Sequence, residues 1–212
     1  MSVLFSCATA KGKPQLEMYP DGLKNGNLIF VEAQVENLSG AINRVTQQTL
    51  AANFDHIGLV EVSEDAVFVL HASTKLGSAR EELFDFYSKN KANQQQMVIY
   101  RLRDAYQHTT AQALQEAKAM LGKAYNFSYI LNDETYYCSD FIERAFRKGA
   151  VFEHIPMNFK NPNTGKIDDF WLGFYEKQQL EVPQDQPGTN PNQLAASEKL
   201  LRLGQLKWSA AE

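Results

Sequence analysis

The sequence is poor in cysteine, has no long apolar run and carries little excess charge. Two cysteines, Cys7 and Cys138, in 212 residues exclude a disulfide-dense scaffold. No close Cys/His cluster marks a structural zinc site. No stretch approaches the ~20 apolar residues that a helical membrane span needs. The 21 Lys and Arg are scattered, and the net charge is −4, which argues against a nucleic-acid partner. There is no internal repeat and no low-complexity tract. What is present is ordinary globular material: 44% hydrophobic and 22% charged residues, with 13 Phe and 9 Tyr. That excludes a fully disordered chain and predicts a core rich in aromatic contacts. At roughly 100–200 residues per domain, the length fits one domain.

The start of the chain bears on the compartment. Leu4–Cys7 (LFSC) resembles the end of a bacterial lipoprotein signal, without the basic and apolar regions that precede such a site. Cys7 is therefore a candidate lipid anchor if an upstream signal exists. The expectation leans to the cell envelope and leaves the cytoplasm open.

Hydrophobic patterning predicts an α+β fold without regular βαβ units. After an irregular segment over residues 1–25, Asn27–Ala33 (NLIFVEA) reads as a buried strand. Ser39 is expected to cap a helix to about Thr49. His56–Val62 and Ala66–Ala72 read as a hairpin, Arg80–Tyr87 as a helix and Met97–Leu102 as a strand. Helices follow from Thr109 or Thr110 to Leu121, with Gly122 at the end, and from Ser139 to Lys148. The prolines concentrate after Met157. Residues 157–212 are read as a wrap over a core of residues 26–156, with short helices at Asp168–Lys177 and Leu194–Leu203.

Three residues stand out chemically. Cys138 lies at the start of a helix, on the face of Phe141 and Ile142, where the helix N-terminus favours thiolate. By position alone it reads as a small hydrophobe filling the core. His56 and His71 sit at the same end of the predicted hairpin. A register with residue numbers summing to 127 pairs them directly, and one summing to 129 sets them diagonally. Both put the two imidazoles on one face, whereas a three-residue loop gives an even sum and opposite faces; even-length loops are common in hairpins, so the shared face is expected. Such a pair suits a general base and the group that orients it. A set of zinc ligands made of His56, His71 and Cys138 is the weaker alternative, since no carboxylate is evidently placed to complete it. His108 and His154 carry no comparable pattern.

Gly26–Phe30 (GNLIF), Asp55–Val60 (DHIGLV), Val69–Ala72 (VLHA), Tyr125–Tyr129 (YNFSY) and Tyr136–Ala145 (YYCSDFIERA) occur in that order. In order and spacing they resemble the circularly permuted, papain-like branch of the NlpC-type cysteine peptidases, the bacterial YiiX/YaeF-like group. The histidine block precedes the cysteine block, as permutation requires. The resemblance implies a cysteine hydrolase that forms a thioester, with Cys138 as nucleophile, His56 as general base and His71 as the third, polar member. Many relatives carry Glu where His71 stands, and Gly-Asp where this chain reads Gly26-Asn27. Tyr125 is the candidate oxyanion donor beside the Cys138 N–H, and a buried core aromatic is the competing reading. No cofactor and no metal is implied. The expected substrate is a peptide or small amide, with a cell-wall-type peptide as first reading. A thioesterase or acyltransferase on acyl lipids, or a non-catalytic binding module, are the alternatives.

Overall fold

The computed structural model describes residues 22–47 and 52–208. Cys7, its proposed anchor and most of the irregular N-terminal segment lie outside the described residues. The elements, in chain order, are β1 (Leu28–Glu32), α1 (Asn37–Thr46), β2 (Phe54–Val62), β3 (Val67–Ser73), β4 (Gly77–Glu82), α2 (Leu83–Ala92), β5 (Met97–Leu102), α3 (Asp104–Gln107), α4 (Thr110–Ala119), β6 (Ala124–Tyr125), β7 (Thr135–Tyr136), α5 (Cys138–Phe146), β8 (Ile155–Pro156), α6 (Asp169–Glu176), β9 (Pro187–Gly188), α7 (Pro191–Ala195) and β10 (Leu200–Gln205). The main sheet has six strands in the order β10-β5-β1-β2-β3-β4, antiparallel throughout. The fold is α+β.

β1 is apolar without interruption because both of its faces are covered. Leu28 and Phe30 join Ile57, Leu59, Leu70 and the α5 residues Phe141 and Ile142 in one core cluster. Ile29 and Val31 join Val60, Val69 and the α2 residues Leu83 and Phe86 in a second, across the sheet. Fully burying a side chain such as Phe141 or Ile142 is worth about 1.5–3 kcal/mol, and both are 0% exposed. A third cluster gathers Ala41 and Val45 of α1, Tyr129, Tyr137, Phe159, and Trp171 and Tyr175 of α6. Arg44 fastens this wall. Its Nε and Nη2 donate to the two oxygens of Asp168, at 3.1 and 3.0 Å. Asp168 also caps α6 by accepting from the Phe170 N–H, and the Arg44 hydrogen bond holds its carboxyl below the usual range.

Three sequence expectations change. Ser39 does not cap α1. Glu36 occupies that position without a side-chain cap, and Ser39 Oγ accepts from the Gln34 N–H at 2.6 Å. The helix expected from Arg80 begins only at Leu83, because residues 77–82 pair with β3 as an edge strand. Its charged residues suit an edge, and Arg80 lies over the Phe68 ring and donates to Glu61. The helix expected over Leu194–Leu203 ends at Ala195. Leu200–Gln205 instead pairs with β5, with a bulge between Arg202 and Gly204. The tail thus contributes a strand to the sheet as well as covering it. Pairing with a free strand edge outweighed the weak helical periodicity in both segments.

Candidate active site

The hairpin takes the register with sum 129. Leu59 pairs with Leu70 and Val62 with Val67, so His56 and His71 are diagonal on one face. Gly58 makes room for this. A Cβ there would sit 2.3 Å from Val69 Cγ1 and 3.5 Å from His71 Cβ. His56 pairs across the sheet with Val31, which fixes its side chain on the α2 face. There both rings pack against Phe86, with centroids 6.0 and 5.2 Å away. His56 Nε2 lies 2.8 Å from His71 Nδ1.

Beyond His71 stands a carboxylate. His71 Nε2 faces Glu81 Oε2 at 3.4 Å, longer than a good hydrogen bond, and has no other partner. Glu81 in turn pairs with Lys89. Contact with His71, and then with Lys89, holds the Glu81 carboxyl below its usual range despite burial. The tautomers that fit these contacts place a proton on His71 Nε2, toward Glu81, so that His71 Nδ1 accepts. His56 then donates from Nε2 and keeps its lone pair on Nδ1.

Cys138 opens α5 directly after Tyr137, and it is 4% exposed. It packs in the cluster on the α5 face. Its Sγ donates to the Asp55 main-chain oxygen at 3.7 Å and makes no hydrogen bond to His56. Asp55 owes its position to a bulge. Val31 pairs with His56 and Glu32 with Phe54, which leaves Asp55 as the extra residue of β2. The structure therefore brings His56 and His71 together, and sets Cys138 against the residue that precedes His56.

Burial, and after it the Asp55 carboxyl, pushes the Cys138 thiol up to about 12. The N–H groups of Ser139 and Ile57 act the other way but do not offset burial. The helix N-terminus thus does not yield a resting thiolate, contrary to expectation. Enclosure, and then the neighbouring His71, push His56 down to about 3. The resting groups at neutral pH are a thiol and a neutral imidazole. Asp55 is itself pushed up to about 6 by burial, and its Oδ1 is buried without a partner. The Tyr125 hydroxyl lies 3.5 Å from that of Tyr129. Burial raises it well above the usual phenol range, so it stays protonated and able to donate.

Two clefts meet here. One, narrow and with only about 40 Å³ of free space, is lined by Cys138 with Tyr129, Tyr137, Phe159, Trp171 and Met157. The other, wider and more open, is lined by His56, His71, Glu81, Lys89, Asn90 and Gln95 among others. Ile42, Asp55 and Tyr125 line both.

The zinc alternative does not assemble. Among the described residues, the side chains close enough to share an ion are Asp140, Glu143 and His154. Arg144 already holds Asp140 at 2.7 Å and Arg147 holds Glu143 at 2.5 Å, so these carboxylates form a compensated ion-pair network on α5. Neither Asp55 nor Glu81 is marked by residue type or spacing. Asp55 depends on a bulge, and Glu81 lay in a segment read as helix.

Comparison with known proteins bears on the family and the fold. Residues 22–204 match the model of a family described as permuted papain-like amidase enzymes, YaeF/YiiX, C92. A solved structure described as the metalloprotein yiiX from Escherichia coli O157:H7 has a TM-score of 0.67 at 20% identity. The match covers 89% of this chain and 97% of that one, and it shows a shared fold. No curated protein matches.

Proposed function

Because the chain belongs to the permuted papain-like amidase family, we propose that it is a cysteine-dependent amide hydrolase working through a thioester. Cys138 is the nucleophile, His56 the general base and His71 the group that orients the base. The 2.8 Å contact between His56 Nε2 and His71 Nδ1 carries this reading, because it leaves His56 Nδ1 as the nitrogen free to take a proton.

The reaction starts when the thiol turns away from the Asp55 carbonyl, which lies one residue from the base. His56 Nδ1 takes the thiol proton as sulfur adds to the substrate carbonyl carbon, and the oxygen gains negative charge. The Cys138 N–H and the Tyr125 hydroxyl are the donors for that oxygen. Collapse breaks the C–N bond, and His56 returns the proton to the leaving amine. Water, deprotonated by His56, then cleaves the thioester, releasing a carboxylic acid and the free thiol. Thiol deprotonation coupled to attack suits a thiol that is protonated at rest.

Of the substrate classes left open by the sequence, the aromatic lining beside Cys138 favours an apolar acyl group over a polar cell-wall-type peptide. A 4-nitrophenyl acyl ester tests the enzyme reading. Intact-mass analysis should show one acyl group on Cys138, absent in Cys138→Ala and formed roughly 10²–10⁴-fold more slowly in His56→Ala. Acylation that does not depend on Cys138 would leave a binding module with this fold.

A further inference from the structure

Asp55 is the extra residue of the β2 bulge, and its two oxygen-bearing ends do different things. Its main-chain oxygen receives the Cys138 thiol at 3.7 Å. Its carboxyl lines both clefts and is close enough to that thiol to push it up. Oδ2 accepts from Gln95 Nε2 at 3.4 Å, and the Ser39 side chain and the Gln34 N–H also steady the charge. Oδ1 is buried and accepts from no group of the protein. Such an atom is costly to enclose, and an ionised carboxylate oxygen can only accept. The donor that satisfies it therefore arrives with whatever enters the clefts.

Resting on the hydrolase reading above, we infer that Asp55 Oδ1 accepts the N–H of the scissile amide, so that Asp55 selects amides that carry an N–H. The amide is then held from both sides. The Cys138 N–H and the Tyr125 hydroxyl take the carbonyl oxygen, and Asp55 takes the N–H. In a trans amide these two groups point in opposite directions, so holding both fixes the plane that the sulfur attacks. As the carbon becomes tetrahedral, the nitrogen gains a basic lone pair. With its hydrogen held by Asp55, the lone pair is left for the proton on His56, the next residue in the chain and a wall of the same polar cleft. The amine departs with its own hydrogen and the one from His56. Other polar atoms on the thiol-side cleft are also buried without a partner, namely Ser139 Oγ, Thr189 Oγ1 and Trp171 Nε1. The indole only donates and the hydroxyls are uncharged, so none of them replaces a carboxylate as acceptor. A site built around one N–H rejects analogues that lack it, because its own polar atom is then left unpaired.

The test removes the N–H from the substrate and the carboxylate from the protein in turn. The full chain is given butyryl 4-nitroanilide and its N-methyl derivative, and kcat/KM is measured from the release of each aniline. The ratio of the two rates in alkaline hydrolysis without enzyme is the reference. Wild type should favour the N–H substrate by roughly a hundredfold or more beyond that reference. In Asp55→Asn, Gln95 and the Gln34 N–H keep the new amide oxygen on their side, which turns its NH2 toward the substrate. The preference should then collapse to within a few fold of the reference. Asp55→Ser serves the same purpose if Asp55→Asn fails to fold by circular dichroism. A wild-type ratio no larger than the reference, or a ratio unmoved in the folded variant, overturns the role of Asp55. So does turnover of 4-nitrophenyl butyrate without turnover of the anilide. In each of these cases acylation of Cys138 by the ester, seen by intact mass, leaves the hydrolase reading standing. No acylation of Cys138 by that ester overturns the hydrolase reading itself, and the role of Asp55 with it.

Discussion

His56 Nε2 and His71 Nδ1 stand 2.8 Å apart, and Glu81 Oε2 stands 3.4 Å beyond His71 Nε2, so a carboxylate backs the pair from its far side.

Glu81→Gln should separate orientation from charge. The amide can donate to His71 Nε2, which moves the His71 proton to Nδ1 and the His56 proton to Nδ1, away from the productive arrangement. A wrong tautomer in such a relay costs up to about 10⁴-fold in rate. The expected result is a fall in kcat with unchanged circular dichroism. The ¹⁵N chemical shifts of both histidines should report the exchanged tautomers. Wild-type shifts together with wild-type kcat would remove Glu81 from the relay.

His71 variants test the middle of the chain. His71→Gln and His71→Glu keep an acceptor for His56 Nε2–H and should retain most activity. His71→Ala removes it and should lose roughly 10²–10⁴-fold. A nearly neutral His71→Ala would reduce the site to a Cys–His dyad.

The pH dependence follows from His56, pushed down to about 3 by enclosure and by His71. Its ring stays unprotonated between pH 5 and 8. An acid limb of kcat/KM in that range therefore reports a different group, and the Asp55 carboxyl, pushed up to about 6 by burial, stands in the site. In Asp55→Asn the limb should vanish; superimposable profiles would assign it elsewhere. The same depression affects stability. The contribution of His56 is fully present above about 6.5, its unfolded value, and is lost as pH falls toward about 3. The melting temperature of the folded protein should decline over that interval for this reason.

The buried thiol should be sluggish toward reagents. With Cys138 pushed up to about 12, iodoacetamide at pH 7 should label it more slowly than the same cysteine in the denatured chain. The rate should still be climbing above pH 9. Peptide mapping that finds faster labelling of the native protein at pH 7 would establish a resting thiolate and a different first step.

Gly58→Ala should act on the hairpin rather than on the chemistry. Its Cβ would meet Val69 Cγ1 at 2.3 Å, forcing β2 and β3 apart. Overpacking of this kind typically costs about 1–3 kcal/mol. Thermal unfolding should show the loss, and activity should fall with it as the two rings separate.

β1, β2, β3 and β5, helices α4 and α5 and the His56–His71 pair were legible because they rest on local rules. Leu28–Val31 and Met97–Tyr100 are apolar runs, α5 places Phe141, Ile142, Ala145 and Phe146 at helical spacing, and hairpin parity fixes which side chains share a face. What escaped the sequence depends on pairing between distant segments. Glu81 reaches His71 only because residues 77–82 extend along β3. Asp55 reaches the thiol through a bulge, an irregularity with no signature in residue type. The aromatic wall of the cleft joins residues from 41 to 175, and no periodicity connects them. At Cys138 the helix end, which favours the anion, is visible in sequence, whereas the enclosure that opposes it is not.

The placement of β10 has a consequence for biosynthesis. β5 lies between β1 and β10, and its outer partner is supplied by residues 200–205, about a hundred positions further along the chain. While the ribosome is still making the intervening segment, β5 shows a row of unmatched peptide groups at the border of an otherwise assembled sheet. A nascent chain is thus sticky until residues 200–205 emerge, and a product terminated before Leu200 keeps that border for good. Such a fragment would carry every residue assigned to the reaction and still be prone to pair with its own copies.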